Sequence, residues 1–149
     1  GEAEMLEALG KVTTDSHHIG LPVLGMVYAR GPNLNPVSGD KTQGVAQAAR
    51  VAFEIGCDVA KTTWTGDSES FKQVTSAAPI PMLVAGGANT GDTRSVLLMV
   101  EKAMEAGASG VCMGRQVFAH KHPSKMAMAL RRIIHDGCSS TEAADEFDL

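Results

Sequence analysis

A chain of 149 residues, 44% hydrophobic and 20% charged, can fold as one ordinary domain around a real core. Its net charge of -4, spread along the chain, argues against nucleic acid as the main partner, and no apolar run approaches membrane-spanning length. No signal peptide is read at the front, and Cys57, Cys112 and Cys138 are far apart with no CxxC pairing, so they read as ordinary thiols of a reducing compartment, the cytoplasm.

The periodicity of Met5, Leu6, Leu9 and Val12 predicts a helix from Glu2 to about His18, ended by Gly20. The chain opens without an initiator methionine and almost inside this helix, as a cut end would. Pro22 to Tyr28 is a short apolar run of strand length, and Gly31 to Asp40 is dense in turn formers. Gln43 to Ile55 returns to helix, with Val45, Ala48, Ala49, Ala52 and Phe53 sharing a face and Gly56 as its stop. Asp58 to Trp64 reads as a buried strand with Lys61 in its middle. A shorter helix follows from Ser68 to Ala77, N-capped by Asp67 or Ser68. Pro79 to Ala85 is a third strand, ending in Gly86-Gly87. Thr93 to Ala106 is helical, and Gly110 to Gly114 is a fourth strand, followed by Arg115. Pro123 to His135 is an amphipathic helix, and a last short one covers about Thr141 to Phe147.

Strand and helix alternate with short connections, which predicts parallel β/α units in a single domain over residues 1–149. Two architectures fit: a small open doubly wound sheet, or half of an eight-stranded β/α barrel, since a complete barrel needs about 250 residues. In both, ligands meet the carboxyl ends of the strands. The residues there are Tyr28 and Arg30, Lys61 with Trp64 and Asp67, Gly86-Gly87, and Gly114-Arg115.

Lys61 admits two readings. A strand covered on both faces should be almost wholly apolar, and lysine is rarely buried without a partner. Either its stem packs on apolar neighbours with the head in water, or it faces an active-site mouth where desolvation favours the neutral amine that attacks carbonyls. Tyr28 is either a core aromatic or a phenol that passes a proton to a developing alkoxide. Gly86-Gly87 alone suits a tight turn. Paired with Gly114-Arg115 at the next strand end, it suits a phosphate held by backbone N–H groups and one cation. His17-His18 and His120-Lys121-His122 lack a cysteine or carboxylate at ligand spacing and read as solvated surface, so no metal is expected. His135 suits a helix C-terminus.

Together, Met26-Val-Tyr-Ala-Arg-Gly31, Asp58-Val-Ala-Lys-Thr-Thr-Trp-Thr-Gly-Asp67, Val84-Ala-Gly-Gly87 and Gly110-Val-Cys-Met-Gly-Arg-Gln-Val-Phe118 resemble archaeal-type class I fructose-bisphosphate aldolases. They resemble as closely the aminodideoxyheptulosonate synthases of aromatic biosynthesis and the autoinducer phosphate thiolases, all of the DeoC/LacD group of β/α barrels. The resemblance implies the C-terminal half of a TIM-type barrel, with Lys61 as the Schiff-base lysine and Tyr28 as acid/base. It implies that Gly86, Gly87, Gly114 and Arg115 hold the substrate phosphate, with Arg30 and Trp64 beside the substrate. The group's Tyr-Pro-Arg-Gly is here Tyr28-Ala29-Arg30-Gly31, and its first four strands, with an aspartate after the first, lie outside this chain.

The expected activity is therefore Schiff-base aldol chemistry on a phosphorylated sugar or ketone, needing no metal or organic cofactor. The alternatives are heptulosonate synthesis with the same lysine and a non-catalytic phosphosugar-binding fragment. An isolated half barrel leaves apolar surface and strand edges exposed, so a homo-oligomer is expected.

Overall fold

A computed structural model of the chain describes residues 1–31, 40–87 and 91–149. Most of the turn-rich stretch expected from Gly31 to Asp40 lies outside the described residues. The elements run α1 (Glu2–His18), β1 (Leu24–Met26), α2 (Thr42–Ile55), β2 (Val59–Thr62), α3 (Ser68–Ser76), β3 (Met82–Ala85), α4 (Thr93–Glu105), β4 (Gly110–Cys112), α5 (Arg115–Phe118), α6 (Pro123–Asp136) and α7 (Ser140–Glu146).

Local chemistry sets these boundaries. Asp67 accepts the Ser70 N–H and starts α3, and Asp92 does the same for α4 through Ser95. Ser139 and Glu142 cap α7 reciprocally. Gly56 ends α2 in the left-handed region at φ 100°, which a glycine adopts without the penalty a Cβ brings. The strands are shorter than the apolar runs that announced them, because their outer residues turn into loops before pairing. α5 has no counterpart in the sequence reading: one turn of helix is too short to show a period.

All four strands are parallel and lie in the order β1-β2-β3-β4. That order decides between the two architectures. A doubly wound sheet reverses direction at a switch point and carries helices on both faces. Strands laid down in sequence by right-handed crossovers place every crossover helix on one side. The sheet is therefore an arc of a β/α barrel wall.

The register shows the consequence. Gly25 pairs with Ala60, Ala60 with Met82, and Thr62 with Val84. These side chains face the helices and are buried, and a Cβ on Gly25 would stand 2.7 Å from Cys57 Sγ. Ala60, Met82 and Val84 join Ala49, Ala52, Phe71 and Val74 in one core cluster, while α4, α6 and α7 enclose a second around Leu97, Val100, Met126 and Ile133. Burial pushes the Cys57 thiol above its ordinary pKa. The other face carries Leu24, Met26, Lys61, Leu83, Ala85 and Cys112, and no helix among the described residues covers it. Leu24 is 41% exposed and Met26 67%.

Candidate active site

The alternation of β2 decides which way Lys61 faces. Ala60 and Thr62 point to the helices, so Lys61 between them points to the uncovered face, level with Met26 on β1 and Leu83 on β3. It is half-buried, and no hydrogen bond or ion pair holds its Nζ among the described residues. Backbone pairing continues past β1, where Val27 N–H donates to Lys61 O at 3.0 Å. Val27 packs with the helix-side core. Tyr28, the next residue, therefore comes to the same face as Lys61, one step nearer the carboxyl ends. Its ring is 37% exposed, with the Arg30 guanidinium 5.1 Å from its centroid. Tyr28 with Arg30, just past β1, and Lys61 on β2 thus share the open face.

The glycines gather at the ends of the next two strands. Gly86 and Gly87 follow β3, and Gly87 sits in the left-handed region at φ 66°. Gly114 stands at the start of α5 directly after β4. Arg115 Nη2 donates to Gly87 O at 3.3 Å, which joins the two strand ends. Gln116 Nε2 donates to Gly86 O at 3.1 Å. Gln116 is buried, and the sequence reading did not single it out. Its signal was available: a polar residue directly behind Gly114-Arg115 and ahead of the apolar Val117-Phe118. At both Gly86 and Gly114 a Cβ would crowd a neighbouring side chain, which would have to shift. A Cβ on Gly86 would meet Met113 Cγ at 2.9 Å, and one on Gly114 would meet Phe118 Cε1 at 2.8 Å.

Two expectations change. Trp64 does not face the site. Three residues beyond Lys61 is an odd step in a strand, so its ring goes to the helix side and packs against Phe71, with centroids 5.0 Å apart. The histidines also have more to do than face solvent. His17 Nε2 lies 2.9 Å from Asp58 Oδ2, and the same carboxylate accepts Val23 N–H at 2.7 Å, tying α1 to the starts of β1 and β2. His120 Nε2 is 2.8 Å from Thr93 Oγ1. The Val23 N–H, with His17 second, holds the Asp58 carboxyl below the usual range. Asp67, read as part of the strand-end collection, is spent on capping α3. The Ser70 N–H holds its carboxyl low as well.

Chemically, the arrangement offers an amine, a phenol and a guanidinium on the side of β1 and β2, and a glycine-lined turn with a second guanidinium on the side of β3 and β4. Among the described residues, no three of the types His, Cys, Asp and Glu come together as a metal-holding group. No helix among them is long and apolar enough to cross a membrane.

The family described as DeoC/LacD family aldolase matches residues 1–120. A 2-amino-3,7-dideoxy-D-threo-hept-6-ulosonate synthase from Halobacterium salinarum is 42% identical over 135 residues, which is 91% of this chain and 49% of that protein. A Schiff-base-forming fructose-1,6-bisphosphate aldolase superposes with a TM-score of 0.83 at 32% identity, over 90% of this chain and 53% of its own. An archaeal fructose-1,6-bisphosphate aldolase, with its catalytic lysine bound to the carbinolamine intermediate, gives 0.82 at 33% identity, over 89% and 53%. The chain thus spans about half the length of the relatives it matches.

Proposed function

The chain belongs to the DeoC/LacD family of aldolases, and from that membership we propose that it carries the imine-forming half of a class I aldolase acting on a phosphorylated sugar. The observation that supports this reading most is the sharing of one uncovered sheet face by Lys61 and Tyr28, with glycines and an arginine at the ends of the next two strands.

The steps follow from these groups. Neutral Lys61 Nζ attacks the ketone carbon, and the carbinolamine loses water to give a protonated imine. The imine draws the electrons of the neighbouring carbon–carbon bond toward nitrogen as the hydroxyl on the far carbon gives up its proton. An aldehyde leaves and an enamine remains on Lys61. Protonation of the enamine and hydrolysis then release the ketone and restore the amine. Tyr28, on the adjacent strand, moves the proton that the departing hydroxyl loses and the enamine regains. Gly87, Gly114 and Arg115 hold the phosphate through N–H donors and a cation, fixing the carbonyl over Lys61. Arg30 stacks on the Tyr28 ring and lends positive charge beside the phenol.

The Halobacterium salinarum relative supports a second reading, in which the same imine serves heptulosonate synthesis. The two readings share Lys61 and differ in the acceptor. Copies of the chain associate through the apolar open face, and a monodisperse monomer by light scattering contradicts this. The test of the imine is direct. Incubation with dihydroxyacetone phosphate and borohydride adds one reduced ketone to the intact mass of the wild type and none to Lys61→Ala. Equal labelling of both removes the proposal.

A further inference from the structure

After β3, the peptide between Gly86 and Gly87 is held at its carbonyl. The carbonyl of Gly86 and the N–H of Gly87 belong to the same planar peptide unit, and in the trans form they point in opposite directions. The Gln116 side-chain amide donates to that carbonyl at 3.1 Å. Whatever fixes the carbonyl also aims the N–H, here to the side opposite the Gln116 amide. Among the described residues no acceptor takes the Gly87 N–H, so it is a donor with a set direction and a place for a ligand.

Gln116 is well placed for this task. It is 6% exposed, so its bond to Gly86 competes little with water. The approach is close: a Cβ on Gly86 would stand 3.1 Å from Gln116 Cγ and 2.9 Å from Met113 Cγ. The glutamine stem and the methionine thus grip the backbone that the amide bonds. Arg115 Nη2 donates to the next carbonyl, that of Gly87, at 3.3 Å, but this bond is exposed to water, unlike that of the buried amide. We propose that Gln116 is a positioning residue: its amide orients the Gly86–Gly87 peptide so that the Gly87 N–H is presented to the phosphate of the substrate. This rests on the reading of the turn as a phosphate cradle. It adds a residue that touches no substrate and acts through the peptide it bonds.

The experiment follows the Gly87 amide by nitrogen-15 NMR while inorganic phosphate is titrated into the wild type, Gln116→Met and Gln116→Glu. Methionine keeps the volume and removes the donor. Glutamate keeps the shape and donates only when its carboxyl is protonated. In the wild type the Gly87 signal shifts saturably. In Gln116→Met the half-saturating phosphate rises about tenfold, the worth of one lost hydrogen bond to an anion. Gln116→Glu matches the methionine variant at pH 8 and recovers toward the wild type, measured at the same pH, as the pH falls to 5. A glutamine that only fills space gives the same weakening in the glutamate variant at every pH, and that result overturns the proposal. So does an unchanged affinity in Gln116→Met. If that variant fails to fold, the pH response of Gln116→Glu decides alone.

Borohydride trapping on the same samples separates the two ideas. Trapping at Lys61 without any phosphate shift at Gly87 removes the cradle, and this proposal with it, and leaves the imine reading standing. A Gly87 shift that depends on Gln116, without trapping, does the reverse.

Discussion

The four strands show opposite characters on their two faces. Toward the helices, Gly25, Ala60, Thr62, Met82 and Val84 are buried in a continuous apolar layer. On the other side Leu24, Met26, Leu83, Ala85 and Cys112 are equally apolar, yet they surround Lys61 and remain at least partly exposed. Barrel strands are apolar on both faces because both are meant to be covered. In this chain one covering is supplied by its own helices. The difference teaches a division of labour: the covered face holds the half barrel together, while the open face displays Lys61 and contributes little to the fold of the single chain. The two can therefore be broken separately.

The largest effect belongs to the covered face. Phe71 is fully buried against Trp64 and the sheet, so Phe71→Ala should cost about 3–5 kcal/mol through lost contacts and a residual cavity. Met26→Ala, on the open face and 67% exposed in the single chain, should change the stability of the dissociated chain by less than about 0.5 kcal/mol, its larger effect falling on self-association. Denaturant midpoints of the two variants measure the contrast directly, and similar losses would erase the distinction between the faces. A smaller effect sharpens it. The Thr62 hydroxyl is buried on the helix side with no hydrogen-bond partner among the described residues. Thr62→Val removes that unpaired group at nearly constant shape and should stabilise by about 1 kcal/mol. The same change at exposed Thr63 should do nothing, and a loss of stability in Thr62→Val would mean that the hydroxyl has a partner after all.

The smallest effect lies at the amino ends of the strands, where Asp58 receives Val23 N–H and His17. Its folded pKa is lowered, chiefly by the Val23 N–H. The unfolded carboxyl titrates near about 3.9. Between the folded value and that point the unfolded chain binds more protons, so stability rises with pH through the window and is lost as pH falls through the folded value. Urea midpoints measured from pH 6 to pH 3 should fall less steeply in Asp58→Asn than in the wild type. Parallel curves would show that the carboxylate contributes nothing.

The sequence is legible where physics is local. Asp67 at the start of α3, Gly56 at the end of α2 and the period of α2, α4 and α6 place these helices within a residue or two. The order of the strands is not local. Alternating β/α units suit either an open sheet or a barrel arc, and the choice depends on where each crossover returns. Lys61 and Tyr28 could be placed from the alternation of their strands alone. The same counting puts Trp64 on the opposite face from Lys61, a step that proximity in sequence obscured. Gln116 escaped because α5 is a single turn, and its role appears only once Gly86, thirty residues earlier, is seen to lie beside it.

The central claim is that Lys61, and no other lysine, meets the ketone on the open face. The chain also carries Lys11, Lys41, Lys72, Lys102, Lys121 and Lys125, which serve as internal controls. The measurement is peptide-resolved mass spectrometry after borohydride reduction across a series of dihydroxyacetone phosphate concentrations. The predicted result is an adduct at Lys61 that saturates with concentration, while the other six lysines show a low labelling that rises in proportion. Labelling at Lys61 that rises in the same proportion as at Lys72, Lys102 and Lys121, without saturation, would contradict the account.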